Sequence, residues 1–232
     1  MEKSLGHPAC PPPTPPPSPD LLFALLHTAV HQILWTRQLY DPVLFESRGW
    51  LGIQVHHHRH PDVQSYVLES LTQLWPGIVR GTIPRVAVLV RDSNGDVFER
   101  HVFEMSLGDV GDPSSSSRPS HPTWEQSVRR VLVRLLQRLS QRVGDEIETN
   151  TTTAPWECGR TFELVAFVPG EVGGEVGDVL RPEAWVEVDT VLESVEVPEA
   201  TLQPGTAQSM RVPGVFVLQL YSERRGLGAG RG

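Results

Sequence analysis

Cysteine is almost missing from this chain: only Cys10 and Cys158 occur among its 232 residues, and they are far apart. Two cysteines cannot build a disulfide framework or a cysteine-based zinc site. A reducing compartment therefore fits the sequence best. The chain is long enough for one domain that buries a core without such crosslinks.

Long apolar runs are missing as well. No run reaches the roughly 18 apolar residues that a membrane helix needs. The first twenty residues are rich in proline, whereas a secretory signal peptide has an apolar segment there. We therefore expect a protein that is neither secreted nor inserted in a membrane.

Positive charge is in short supply, with 20 Lys and Arg against 28 Asp and Glu and a net charge of −8. This balance argues against a general nucleic-acid coat, because phosphate binding draws its affinity from clustered Lys and Arg. The acids concentrate between Gly144 and Glu199, where Arg160 and Arg181 are the only Lys or Arg residues. An acidic late region therefore follows the more basic middle of the chain.

Recognisable catalytic motifs are absent too. The sequence has no nucleophile elbow, no Walker loop and no dinucleotide-binding fingerprint. Gly173-Gly174 and the glycine-rich end lack the strand-then-helix context of a phosphate-binding loop. We therefore expect a protein that is not an enzyme and that carries no cofactor.

Proline dominates the beginning of the chain from Pro8 to Pro19. This composition favours polyproline II and cannot bury a core, so residues 1–19 are predicted to be a disordered tail. A Pro-rich ligand for another domain is the alternative. The Gly-rich residues 225–232 are predicted to be a second tail.

Two amphipathic helices are predicted next. Asp20 precedes apolar residues at helical spacing and is expected to cap a helix that ends before Asp41-Pro42. His60-Pro61-Asp62 opens the second helix, which Pro76-Gly77 is expected to stop. The second apolar face comprises Val63, Tyr66, Val67, Leu71, Leu74 and Trp75.

A β-hairpin is the strongest strand prediction. Arg85 to Arg91 and Val97 to Met105 are extended runs, and Asn94-Gly95 between them suits the positive φ angles of a tight turn. A Gly, Ser and Pro-rich loop is expected from Ser106 to His121.

The remaining predicted elements are a long helix and two further strands. Thr123 and Gln126 form a capping box for an amphipathic helix that reaches Val143. Thr161 to Val168 is predicted to be a central strand and Val215 to Tyr221 the last strand. The segment between them, with an extended patch from Ala184 to Leu192, is expected to wrap over a finished domain.

Histidines and arginines form two conspicuous clusters. His56-His57-His58-Arg59-His60 could suggest a metal site, but neighbouring side chains on an extended segment point to opposite faces and no Cys or acidic set completes the ligands. We interpret this run as a solvated loop without a metal. Arg130, Arg134, Arg138 and Arg142 form one helical stripe with Arg129 beside it. This stripe could be a solvated face, contact an acidic protein surface or bind nucleic acid.

The order of these elements resembles the HORMA domain, and several short motifs between Leu21 and Arg224 carry the resemblance. They make the chain closer to the accessory subunits of DNA polymerase zeta than to the spindle-checkpoint or meiotic members of that family. These motifs are Val30-His31-Gln32-Ile33-Leu34 with Arg37 and Tyr40, His60-Pro61-Asp62-Val63-Gln64-Ser65-Tyr66-Val67, Phe103-Glu104-Met105, Trp124-Glu125-Gln126 and Leu218-Gln219-Leu220-Tyr221-Ser222-Glu223.

The resemblance implies an α+β fold in which three helices pack on an antiparallel sheet. The HORMA domain would span residues 20–224, with a core at 20–169 and a C-terminal segment, the safety belt, at 170–224. The belt would fold across a bound peptide, and release would then require local unfolding. The function implied is a non-catalytic adaptor of DNA polymerase zeta in translesion synthesis, located in the nucleus.

The resemblance also implies particular partners and residues. Tyr66 and Trp185 match aromatics that hold a Pro-containing peptide of the polymerase catalytic subunit. Leu202, Gln219 and Tyr221 match the surface for the C-terminal domain of the inserter-recruiting translesion polymerase. Arg129 matches the interface through which HORMA domains pair, and DNA would be contacted only indirectly.

Other interpretations remain at this stage. Tyr66 lies on the apolar face of its helix and could be an ordinary core residue, and Trp185 could be a strand residue without a ligand. Another HORMA adaptor, in checkpoint control or break repair, is one functional alternative. A DNA-binding module that uses the basic helix at 123–143 is the other.

Overall fold

Three helices cover one face of a five-stranded antiparallel sheet, and a separate two-stranded sheet lies against the first helix. This architecture comes from a computed structural model, which describes residues 20–107, 121–140, 154–168, 208–212 and 216–224. The predicted α+β class is confirmed. The two predicted tails lie outside the described residues.

Helix α1 runs from Asp20 to Thr36. It begins at the residue expected to cap it and ends before Asp41-Pro42, as predicted. Its apolar residues recur every three or four positions, so they lie on one face and are buried against the sheet. The buried residues of this face include Leu22, Leu25, Leu26, Ala29, Val30 and Ile33.

Helix α2 runs from Pro61 to Arg80. His60 caps it, because the Asp62 amide donates to the His60 side chain. The predicted stop at Pro76-Gly77 is wrong. Packing holds the last turn in spite of the proline: an added Cβ on buried Gly77 would lie 2.5 Å from the Ile83 side chain, so only glycine allows this approach.

A β-hairpin of strands β1, Phe45–Trp50, and β2, Ile53–His58, lies between these helices. The interpretation of the histidine run as a solvated loop is therefore wrong, since three of its residues belong to β2 and two of them are buried. The reason is tertiary. Side chains of α1 accept hydrogen bonds from amides of β2, as in the 2.7 Å bond from the His56 amide to Gln32 Oε1.

The large sheet contains five strands in the order β5-β3-β4-β7-β6. Its strands are β3, Arg85–Arg91; β4, Val97–Leu107; β5, Thr161–Phe167; β6, Gln208–Val212; and β7, Phe216–Arg224. The hairpin and the last strand confirm the predictions to within a few residues. Thr161 to Phe167 is a strand as predicted, but the prediction that it is central is wrong, because β5 pairs only with β3 among the described strands and is the outermost strand on its side. Strand β6 was not predicted, and the patch from Ala184 to Leu192 lies outside the described residues.

Helix α3 runs from His121 to Ser140. It starts two residues before Thr123, so the predicted capping box does not mark its first residue, and the loop expected to reach His121 ends earlier. Val143 lies outside the described residues. Its buried face contributes Val128, Val131, Leu132, Leu135 and Leu139 to the core that the helices share with the sheet. None of the helices in the described ranges is long and apolar enough to cross a membrane.

Candidate functional site

The outermost strands of the large sheet are β5 and β6. Within the described ranges no strand pairs with the outer edge of either one, and the edge of β5 is the one beside which Tyr66 and Phe162 lie. An unpaired edge of this kind is a ready template for an added strand.

The backbone groups on this edge can be assigned from one hydrogen bond. The amide of Leu164 donates to the Tyr66 hydroxyl at 3.3 Å and therefore points away from β3. Because successive residues of a strand point their backbone groups in alternate directions, Phe162 and Ala166 share the orientation of Leu164. The edge thus offers donors and acceptors at every second residue.

An aromatic group lies beside this edge. Tyr66 is 42% exposed on α2 and meets Phe162 edge to face at 5.5 Å between ring centroids. Tyr40 meets Phe162 in the same manner at 6.4 Å. Burial is the main cause that raises the pKa of Tyr40, and the interaction with Tyr66 is the second cause. The Tyr40 phenol therefore stays neutral. The exposure of Tyr66 places its ring at the surface and not in the core.

Trp185, the other residue predicted for the peptide, lies outside the described residues. Its role and that of Tyr66 stay predictions. The structure adds Tyr40 and Phe162 to the group around Tyr66. Phe162 belongs to a strand that was predicted, but its place at the edge of the sheet was not, and only the folded arrangement brings Tyr40 to it.

The second predicted surface involves β7, which pairs with β4 from Leu107↔Phe216 to Glu99↔Arg224. Leu218 and Leu220 point toward the helices and are buried in the core. Gln219 and Tyr221 consequently share the opposite face of the sheet, as predicted for residues two apart. Leu202, the third member, lies outside the described residues.

A buried ionic group ties the helices and β7 to β4. Arg37, the residue that follows α1, donates from Nε and Nη2 to the two oxygens of Glu99, at 2.5 and 2.9 Å, and from Nη1 to the Leu139 carbonyl at 2.9 Å. On the same strand as Glu99, His101 Nδ1 lies 2.9 Å from the Ser222 hydroxyl of β7. The turn after α1 thus meets α3, β4 and β7 in this group.

The charge of this group is stable at neutral pH. Burial by itself raises the pKa of the Glu99 carboxyl, but His101 and the Arg37 guanidinium outweigh burial and hold the pKa far below its usual range. Sequence reasoning missed Glu99 and His101. The only signal was that Glu99 and His101, two positions apart, share the face of β4 that carries the apolar Phe103 and Met105.

Three histidines form a separate polar group. His27 and His31 lie one turn apart on α1, and His57 reaches them from β2. One nitrogen of each ring can be chosen so that all three lie within 4.8 Å of one another. Among the described residues this is the group whose chemistry could hold a metal ion, although the sequence predicted no metal site.

Arg129, the residue predicted for a pairing interface, is exposed on α3. Arg130 and Arg134 are exposed beside it, whereas Arg138 is partly buried and Arg142 lies outside the described residues. The helix therefore presents a positively charged surface with its apolar face turned to the core.

Comparison with known proteins gives relatives along most of the chain, although no family model matches it. A chicken protein named "Mitotic spindle assembly checkpoint protein MAD2B" is 29% identical over 206 residues, which is 89% of this chain and 90% of that protein. The zebrafish protein of the same name is 28% identical over the same shares. An Arabidopsis "DNA polymerase zeta processivity subunit" is 22% identical over 73% of this chain and 71% of that protein.

Solved structures share the fold at lower identity. A chain of a mitotic checkpoint complex covers 89% of this chain and 98% of its own length, with a TM-score of 0.63 and 15% identity. Caenorhabditis elegans HTP-1 bound to HTP-3 motif-1 covers 88% of each chain, with a TM-score of 0.58 and 11% identity. These similarities establish the fold over nearly the whole chain.

Proposed function

We propose, from the HORMA fold that this chain has, that it is a non-catalytic adaptor subunit of DNA polymerase zeta in translesion DNA synthesis, acting in the nucleus. It would capture a Pro-containing peptide of the catalytic subunit under its C-terminal segment. The outer edge of β5 beside Tyr66 and Phe162, with which no strand of the described residues pairs, is the observation that carries the proposal.

The relatives support this assignment from two directions. The Arabidopsis relative is named as a polymerase zeta processivity subunit, and the vertebrate relatives carry the name MAD2B. Relatives in fold include HTP-1 bound to a motif of HTP-3 and HTP-1 bound to a closure motif of HIM-3. Capture of a short motif of another protein is therefore compatible with this architecture.

The chemistry of the edge suits an extended peptide. A carbonyl of the added strand would accept from the Leu164 amide and replace the Tyr66 hydroxyl, whose 3.3 Å contact is long for a hydrogen bond. The ring of Tyr66 would then be available to a proline of the peptide, since aromatic surfaces bind proline-rich segments well.

The proposed division of the chain follows from this arrangement. Residues 20–169 would form the core that offers the edge, and residues 170–224 the belt, with tails at 1–19 and 225–232. Strands β6 and β7 belong to that belt. They lie on the β4 side of the sheet, so they do not pair with the outer edge of β5. Trp185 would close over the peptide from the belt.

The test is calorimetry of the full chain with a synthetic Pro-containing peptide of the polymerase zeta catalytic subunit. Tyr66→Ala should weaken binding by about 2 kcal/mol or more, the usual loss on truncating an aromatic anchor. Val79→Ala is the matched control, because Val79 is exposed to a similar extent on the same helix. Equal affinities of Tyr66→Ala and Val79→Ala, with both proteins folded, would reject the site.

A second docking surface is proposed at Leu202, Gln219 and Tyr221 for the C-terminal domain of the inserter-recruiting translesion polymerase. An amide next to a half-buried aromatic offers both hydrogen bonding and apolar contact area. Tyr221→Ala should abolish binding of that domain and leave peptide capture unchanged. If the belt builds this surface only after closure, bound peptide should raise the affinity for the domain, and the coupling should be reciprocal.

Pairing with another HORMA domain is proposed through Arg129, which the exposed side of α3 makes accessible. Arg129→Ala should shift a dimer of the peptide-bound protein toward monomer in analytical ultracentrifugation.

The exposed arginines also support the second candidate function, direct DNA binding. That candidate would be favoured if the protein bound duplex DNA with an affinity that falls steeply with added salt, and if it did not bind the peptide.

A further inference from the structure

The three histidines His27, His31 and His57 meet between helix α1 and strand β2. Their ring centroids are separated by 4.8 Å for His27 and His31, 5.4 Å for His27 and His57, and 4.6 Å for His31 and His57. The spacing of four residues places the first two on one helical face. Three imidazoles from two rigid elements are thus concentrated in one place.

His31 lies at the bottom of this group and is 0% exposed. Its Nδ1 atom accepts a long hydrogen bond of 3.4 Å from the His58 amide. Its Nε2 atom is buried and has no hydrogen-bond partner among the residues that the structure describes. Buried polar atoms are nearly always paired, so this nitrogen calls for a partner that the chain itself does not supply.

The protonation of the group suits a metal ion. Burial, followed by the neighbouring histidines and Arg48, lowers the pKa of His31 to about 3. Burial, followed by His27 and Arg48, lowers the pKa of His57 to about 4, and burial also lowers the pKa of His27. All three rings are consequently neutral at pH 7, the form in which imidazole binds a metal.

A cavity of about 320 Å³ opens next to the group. His27 and His57 line it together with Phe23, Trp50, Leu68 and Arg48. The buried His31 is not among the residues that line the cavity. A ligand in the cavity would therefore meet His27 and His57 first.

From this geometry we propose that His27, His31 and His57 form a binding site for a divalent transition-metal ion of the zinc class, with its fourth coordination position open to the cavity. Three imidazoles with one exchangeable position are a common ligand set of Zn²⁺. Nitrogen ligands at about 2.0–2.1 Å from the ion in a tetrahedron are separated by about 3.4 Å. Since the nitrogens now lie within 4.8 Å of one another, each pair of rings needs to close by at most about 1.4 Å.

Two features of the surroundings disfavour metal binding: a hydrogen bond that His31 would lose, and the positive charge of Arg48. Coordination through His31 Nε2 moves the ring proton to Nδ1, so the long bond from the His58 amide is given up in exchange for a partner at Nε2. Arg48 places a positive charge near the group, but it is paired with Glu46, the cross-strand neighbour of His57. The charge that the ion meets is therefore partly compensated.

The experiment titrates the full chain with Zn²⁺ by calorimetry and with Co²⁺ by visible absorption, which reports tetrahedral coordination. One equivalent should bind, and the ion should raise the melting temperature because it binds the folded state. His27→Ala and His57→Ala should each lower the affinity by at least about tenfold, the loss that even an outer-shell substitution causes. Both residues border the cavity, so these variants disturb the core less than a change of His31.

His60→Ser is the matched control, because His60 belongs to the same histidine run but is exposed and lies outside the group, and Ser keeps the capping function. It should leave the affinity unchanged. Arg48→Gln should strengthen binding by removing the opposing charge. Absence of one-equivalent binding, or an equal loss in His60→Ser and His27→Ala, would overturn the site and leave surface histidines as adventitious ligands only.

Discussion

Two buried polar groups lie within the same fold and solve the problem of burial in opposite ways. The group around Glu99 keeps its carboxylate charged and pairs it with the Arg37 guanidinium, and His101 lies on the other side of the carboxylate. The group of His27, His31 and His57 carries no charge at pH 7, because burial holds the rings neutral. The first group is sensitive to losing a member, and the second to gaining a proton or an ion.

The elements that each group joins differ as well. The ionic group connects the turn after α1 with α3, β4 and β7, so it fixes β7 to the core. The histidine group connects only α1 and β2 and borders a cavity. The ionic group is therefore suited to holding the fold together, and the histidine group to responding to a ligand.

The largest expected effect comes from breaking the ionic group. Arg37→Ala should lower the free energy of unfolding by about 3–5 kcal/mol, because it leaves the Glu99 carboxylate buried without its bidentate partner. Denaturant unfolding followed by circular dichroism measures this loss.

The double variant Arg37→Met with Glu99→Leu provides the control for that prediction. Replacing both partners by apolar side chains removes the unpaired charge, so stability should return toward the value of the parent protein. A double variant as unstable as Arg37→Ala would show that packing, and not charge pairing, makes Arg37 important.

A smaller effect is expected from protonating the histidine group. The pKa values of His31 and His57 in the folded chain are about 3 and 4, below the 6.5 of an ordinary histidine, so the unfolded chain takes up protons first as pH falls. Their contribution to stability is present above about pH 6.5 and is lost progressively as the pH falls toward about 3. The melting temperature should therefore fall between pH 7 and pH 5.

His57→Asn sharpens this prediction, since it removes one of the two strongly shifted groups. The slope of stability against pH between 7 and 5 should become shallower in this variant. Glu99 does not interfere in this window, because its depressed pKa and the ordinary carboxyl value of 4.5 both lie below it. An unchanged slope would mean that the three rings are not the source of the acid sensitivity.

The smallest effect is expected at the junction of the ionic group with β7. Ser222→Ala removes one buried hydrogen bond to His101 and should cost about 1 kcal/mol. Ser209→Ala on β6 is the control, because Ser209 is exposed. Hydrogen exchange of the β7 amides should rise in Ser222→Ala and stay the same in the control.

Local patterns predicted the elements that are built from local information. The hairpin of β3 and β4 follows from two apolar runs around Asn94-Gly95, and Gly95 indeed has a φ of 86°. The buried face of α1 follows from its helical spacing. The same reasoning wrongly predicted that α2 ends at Pro76-Gly77. The helix continues because Gly77 packs against Ile83, a residue beyond the end of the helix, and the pattern of the helix residues does not show this contact.

Candidate site residues divide in the same manner. Residues two apart on a strand must share a face, which is why Gln219 and Tyr221 could be placed together from sequence. The exposure of Tyr66 could not be predicted, since its position on the apolar face of α2 also suits a core residue. The histidine run was misread because β2 is held by the contact between the His56 amide and Gln32, residues far apart in the chain.

The sequence by itself determined the helices, most strands and the class of the fold, because periodicity and turn residues act over a few neighbouring positions. Only the tertiary structure decided which strands lie at the edges of the sheet, which charges are paired and which histidines meet. Glu99 pairs with Arg37, which is 62 residues away in the sequence, and His57 contacts His27, which belongs to a different element. Such contacts depend on how the elements pack, so they cannot be predicted from the spacing of neighbouring residues.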